Sequence, residues 1–169
     1  MKNETTAINF DQEADMLYPT LNRVEELLKE YKMVPVFYEV LADYMTPIRM
    51  FQALRKEGTP CFMLESVENK DQWGRYSFIG INPKSEIKIS GKELEVDGVK
   101  QEEEFKMSYL SDLIKKYKSP VMEDYPKLTG GLIGYFGYDM IRQVEKKLTN
   151  VPENDLKMPE CHLCMYDEI

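Results

Sequence analysis

Several things are scarce in this sequence, and each shortage removes a class of function. No apolar run approaches the roughly 18 residues that a membrane-crossing helix needs. The opening stretch, MKNETTAINFDQEAD, lacks the apolar centre of a secretion signal. Basic residues are outnumbered, 22 Lys and Arg against 30 Asp and Glu, and the net charge of −8 argues against nucleic acid or an anionic membrane as partner. Cysteine is rare. Three cysteines, an odd number without framework spacing, fit a reducing compartment, and the cytoplasm is the expected location. Phosphate-cradling loops are missing too, since there is no GxGxxG pattern and no Gly-Lys-Ser/Thr.

What remains is an ordinary globular composition, 43% apolar and 31% charged over 169 residues, enough for one domain with a real core. Residues 1–16 are polar, acidic and aperiodic and are expected to be a flexible tail, with residues 17–169 as the folded unit. Thr20 is placed to cap a helix whose apolar positions Leu21, Val24, Leu27, Leu28 and Tyr31 recur at helical spacing. Residues 34–41, VPVFYEVL, predict a strand, and Pro35 puts that end at a sheet edge. Thr46-Pro47 predicts a helix start, running through Ile48, Phe51 and Leu54 towards Gly58.

Further on, residues 85–90 and 92–97 alternate apolar and polar, with Ile87 and Ile89 on one face and turns at Gly91 and Asp97-Gly98. Ser108 could cap a helix through Leu110, Leu113, Ile114 and Tyr117. Residues 121–128 are expected to be a loop. Residues 130–139, GGLIGYFGYD, spend four glycines among large apolar residues, which predicts a buried strand with bulges or a close backbone approach. A helix with Ile141 and Val144 inward should follow over 138–147, then a proline-bearing loop and a strand from Cys161. The fold class expected is α+β, a mainly antiparallel sheet with three or four helices packed outside. The last strand stops within two residues of its acidic end, so a fragment of a longer protein is expected.

The stretch 61–82, CFMLESVENKDQWGRYSFIGIN, carries the most suggestive chemistry. It reads as strands at 61–64 and 76–81 joined by a polar loop. Glu65 and Ser66 close the first strand with an acid and a hydroxyl; Arg75 and Tyr76 open the second with a cation and an aromatic ring. Together they offer an acceptor for an ammonium, donors for a carboxylate and a flat apolar wall, a set suited to a zwitterionic amino acid with a large side chain. Charges beside a strand loop are more often simply solvated. Trp73 serves either as a packing plug or as a pocket rim.

Other constellations fail on spacing. Cys161 and Cys164 with His162 between them lack a fourth ligand for a structural zinc, and residues three apart on a strand face opposite ways. The lone His162 cannot easily turn back on Cys161 to make a nucleophile. Strand packing is the expected role of all three cysteines.

MLESVE followed by WGRYSFIG resembles the N-terminal region of anthranilate synthase component I, a chorismate-utilising enzyme family. VPVFYEVLADYMTPIRMFQAL, GGLIGYFGYDMIR and LKMPECHLCMYDE resemble the same family in the same order, across most of residues 32–168. The resemblance implies that the Leu-Glu-Ser segment lines a feedback site for L-tryptophan. On that basis Leu64 and Tyr76 would wall the indole, Glu65 would attract the ammonium, Ser66 would bond a polar end, and Arg75 would orient the loop or meet the carboxylate. An indole of about 150–250 Å² yields only about 4–6 kcal/mol of apolar contact. A micromolar ligand needs about 8 kcal/mol net, so those charge-assisted contacts must supply the rest.

The same resemblance assigns chorismate, Mg²⁺ and the catalytic acid/base residues to a larger C-terminal part with no counterpart here. No catalytic residue, metal ligand or cofactor is therefore expected in this chain, which alone should be inactive. Its expected partners are L-tryptophan, a glutamine amidotransferase component II and its own C-terminal catalytic part. Two alternatives stand: the related aminodeoxychorismate synthase component I, which shares the fold, and a non-enzymatic interaction module. A fully polar exterior would favour the module, whereas exposed apolar surface would favour a chain that packs against more protein.

Overall fold

The structure, a computed structural model, describes residues 17–65, 76–123, 125–145, 147–148, 150 and 154–169. The N-terminal portion is a string of small units. Strand β1 (Leu17–Tyr18) pairs antiparallel with β2 (Phe37–Tyr38), and helix α1 (Leu21–Leu27) lies between them. The Tyr125 ring stacks on both Tyr18 and Phe37, with ring centres 4.6 and 4.1 Å away, and ties this ribbon to the 121–128 loop.

Two expectations shrink here. The strand expected over 34–41 is two residues long, because its partner offers only two residues and Pro35 has no N–H to give. The helix stops at Leu27, where Lys29 and Glu30 make tighter bonds to Glu26 and Leu27. Thr20 makes no side-chain cap, and Leu21 and Leu28 are exposed, so the expected stripe is only half covered.

Helix α2 (Pro47–Leu54) begins where the sequence says it should. The Thr46 hydroxyl oxygen accepts from the Arg49 backbone N–H at 3.3 Å, and Pro47 occupies the first turn. The helix ends four residues before Gly58, which takes its left-handed conformation in the turn beyond. Thr46→Ala is expected to lower stability by about 0.5–2 kcal/mol, read from the urea midpoint, while Thr46→Ser retains the cap.

Strands β3 (Phe62–Glu65) and β4 (Ser77–Gly80) form an antiparallel pair. The main sheet follows, with β5 (Ser85–Ser90), β6 (Glu93–Val96) and β7 (Val99–Lys100) as a meander. Helix α3 (Met107–Lys116) and strand β8 (Gly131–Phe136) come next, then a 3₁₀ helix (Tyr138–Gln143) and β9 (Cys161–Tyr166). The strand order is β7-β6-β5-β9-β8 and every pairing is antiparallel, so the α+β class is as expected. Asp97 and Gly98 both have positive φ, 53° and 78°, the conformation a two-residue hairpin turn requires. The Asp97 carboxylate also accepts from the Glu86 N–H at 2.7 Å and from the Ser85 hydroxyl at 3.2 Å, pinning the start of β5.

One face of this sheet is the core. Ile87, Ile89, Leu94, Cys161 and Leu163 are buried there beneath Phe105, Leu110 and Met140. Gly134 lets β8 approach β9. A Cβ at Gly134 would run into the His162 carbonyl oxygen, as the reading of a close backbone approach expected. Helix α3 starts one residue before the expected Ser108 cap, with Lys106 as a cap that contributes no side-chain bond.

The segment after β8 departs most from expectation. It is 3₁₀ rather than α-helical, so residues three apart stack in rows. Met140 is buried and Gln143 donates to the Gly91 carbonyl at 2.6 Å, whereas Tyr138, Ile141 and Val144 form an exposed row. The inward placing of Ile141 and Val144 is thus corrected.

Candidate functional site

Three of the five residues singled out for an amino-acid ligand are described. Leu64 pairs with Phe78 and Glu65 with Ser77 across the β3–β4 ladder, and Tyr76 directly precedes β4. Strand alternation puts Phe62, Leu64 and Phe78 on one face, and the Tyr76 ring lies 5.9 Å from that of Phe78. Leu64 and Tyr76 remain 46% and 43% exposed, an apolar wall open to solvent. Glu65 alternates to the opposite face and has no hydrogen-bond partner among the described residues. A ligand touching both Glu65 and the Leu64–Tyr76 wall would contact both faces of the β3–β4 ribbon. Ser66, Arg75 and Trp73 lie outside the described residues.

The hairpin is anchored at its other end. The Phe62 ring lies over Gly80, where an added Cβ would run into it, and meets Tyr166 edge to face with centres 4.9 Å apart. Lys56 reaches Asn82, which in turn donates to Glu168. Through these contacts β3–β4 is fixed against the end of β9.

A cavity of about 260 Å³ sits elsewhere, below α3 and beside β8, with Met33, Leu113, Ile114, Tyr117, Leu132 and Met165 in its lining. It is slightly smaller than the usual range of about 300–1,000 Å³ for small-molecule pockets. Lys84, ion-paired to Asp167 at 3.0 Å, also lines it. Leu64, Glu65 and Tyr76, the three of the five that are described, do not border it.

The second face of the sheet holds a constellation that spacing alone did not expose. Glu86 stands opposite Cys164 and Lys88 opposite His162 in the β5–β9 ladder. Glu86 Oε1 lies 2.7 Å from His162 Nε2, and Cys164 Sγ lies 3.9 Å from the same nitrogen. Lys88 Nζ holds the other Glu86 oxygen at 3.1 Å and approaches Glu95 at 3.8 Å. Partial burial pushes the Glu86 carboxyl up, but hydrogen bonds from Lys88 and His162 outweigh it and hold the group below the usual value. Burial, followed by the Glu86 charge, pushes the Cys164 thiol up. Cys161 faces the core instead, where burial pushes its thiol to about 11. The two cysteines do face opposite ways, as strand geometry required. The missed partner was Glu86, 76 residues from His162 in sequence and legible only once the strand register is known.

These features define a half-open antiparallel α+β unit with an exposed acidic and aromatic hairpin. No protein-family model matches the chain. It is 41% identical over 164 residues to anthranilate synthase component 1 of Acetivibrio thermocellus, covering 91% of this chain and 32% of that protein. It is 32% identical to the component 1 of Pseudomonas aeruginosa, covering 82% and 29% of the two chains. Among solved structures, anthranilate synthase component I from Streptococcus pneumoniae TIGR4 is 28% identical with a TM-score of 0.46, covering 77% of this chain and 28% of that one. The chain belongs to the anthranilate synthase component 1 family, and spans about a third of the length of the curated relatives it matches.

Proposed function

We propose that this chain is the N-terminal, regulatory part of an anthranilate synthase component I and carries its L-tryptophan feedback segment. The observation that carries the reading is the 41% identity extending over 91% of the chain. The complete protein would convert chorismate, with ammonia from a glutamine amidotransferase component II, into anthranilate and pyruvate. Chorismate and Mg²⁺ would be held by residues outside this chain. The thiol and imidazole donors of the β5–β9 face do not suit Mg²⁺, which prefers oxygen ligands and retained water.

In this reading the hairpin end supplies half of a tryptophan pocket. Leu64 and Tyr76 offer the indole an apolar face, and Glu65 offers the ammonium a carboxylate with no partner among the described residues. Ser66 and Arg75 would complete the polar contacts. The second half of the pocket would come from the remainder of the protein, and tryptophan would act by favouring one arrangement of the two parts. Large exposed side chains support a surface that packs against more protein rather than a self-contained module. Leu41, Tyr44 and Tyr138 are 93%, 95% and 89% exposed.

The test is Glu65→Ala and Ser66→Ala in the complete protein. Each should weaken tryptophan inhibition by about tenfold or more, the loss of one charge-assisted contact, with uninhibited turnover unchanged. Inhibition left at its original strength in both variants would overturn the assignment. Identifying the aromatic product separates anthranilate from the aminodeoxychorismate alternative.

A further inference from the structure

We infer that Glu86, His162 and Cys164 form a binding site for a borderline divalent transition-metal ion such as Zn²⁺, on the sheet face opposite the core. Their donor atoms all lie within 4.8 Å of one another, the one such trio among the described residues. Two neighbouring strands build it. His162 and Cys164 are two apart on β9 and so share a face, and Glu86 stands directly across from Cys164 on β5. All three donors therefore rest on paired backbone near the middle of the sheet, where β5 and β9 each have strand neighbours on both sides.

The spacing suits a tetrahedral ion. With metal–nitrogen, –oxygen and –sulfur bonds of about 2.0, 2.1 and 2.3 Å, donors sit roughly 3.4–3.6 Å apart. The nitrogen–sulfur separation of 3.9 Å needs to close slightly, and the oxygen–nitrogen separation of 2.7 Å needs to open. The donor set is one thiolate, one imidazole and one carboxylate, a mixture that selects Zn²⁺ and its neighbours over Mg²⁺ or Ca²⁺. Glu86 and His162 have side chains 30% and 28% exposed, so the fourth position opens to solvent and accepts water.

The Cys164 thiol loses its proton to solvent as the sulfur–metal bond forms, one proton released per ion. His162 binds through Nε2 as the neutral ring with its hydrogen on Nδ1. Lys88 opposes an incoming cation, but it also pairs with Glu95. Its hydrogen bond goes to the Glu86 oxygen that does not face His162, and Oε1 exchanges its hydrogen bond with His162 Nε2 for the metal as the ring hydrogen moves to Nδ1. With the thiolate formed, three negative groups (Glu86, Glu95, Cys164) surround one ammonium, and the site favours a dication.

Titration of the purified protein with Co²⁺ tests the site, because cobalt reports its own ligands. One equivalent should produce a near-ultraviolet thiolate-to-cobalt charge-transfer band, and Zn²⁺ should bleach it by displacement. Cys164→Ala should abolish the band. His162→Gln should weaken cobalt binding by at least about tenfold. Cys61→Ala and Cys161→Ala should leave the band in place, with circular dichroism showing that each variant is folded. Absence of the band in the parent protein, its survival in Cys164→Ala, or unchanged affinity in His162→Gln would each overturn the site.

Discussion

Ile89→Ala is expected to lower the unfolding free energy by about 2–5 kcal/mol. Ile89 is fully buried and sits between Leu94 on β6 and Cys161 on β9 in the ladder. Both neighbours belong to paired strands, so the backbone cannot collapse far into the space left behind. The spread of the expected loss reflects how much Phe105, Leu110 and Met140 can settle from the other side. Removing a single methylene with Ile89→Val should cost about 0.5–1.5 kcal/mol. Domains are stable by only about 5–15 kcal/mol, so the alanine variant forfeits a large share. Urea unfolding followed by circular dichroism measures this directly. A midpoint that barely moves would mean that the β5–β9 face is not the core.

Gly134→Ala is expected to cost about 3 kcal/mol through a different cause, the addition of one methyl group where none fits. The new Cβ would meet the His162 carbonyl and the Leu163 Cα, both backbone, so no side chain can swing aside to make room. The strands must part, and separating β8 from β9 weakens the ladder bonds around residues 133–135. For a chain of 169 residues that loss corresponds to a fall in Tm of about 6–12 °C. Differential scanning calorimetry measures it. A shift below about 2 °C would show that the edge strand yields freely and that the glycine is not needed for close approach.

The sequence is read most reliably where a local rule and the tertiary context agree. Thr46-Pro47 starts a helix on capping chemistry alone. Ile87 and Ile89 alternate with Glu86 and Lys88, so period two predicts a core face and a wet face, and both are present. The Asp97-Gly98 turn follows from the need for positive φ. Errors collect where a neighbour decides. Residues 34–41 have strand composition, but only Phe37 and Tyr38 find a partner. Ile141 and Val144 have helical spacing, but a 3₁₀ backbone turns that row outward and buries Met140 instead. The hairpin of the proposed tryptophan segment was legible as two strands; that the first extends to Glu65, and so turns that side chain away from the Leu64 face, followed only from its pairing with Ser77. Glu86 could not be linked to His162 by any spacing rule, because the β5–β9 pairing joins distant parts of the chain.

Strand β9 comes last among the described strands and yet lies inside the sheet, between β5 and β8. During synthesis the β5–β6–β7 meander, whose pairings are local, can form early, with the edge of β5 left bare. Full pairing of β5 with β9 must wait until residue 165 has been made, and closing so long a loop is slow. The core therefore assembles at the end of translation of this segment. Until then the nascent chain exposes an unpaired, apolar strand edge, the kind of surface on which chaperones act and aggregation begins.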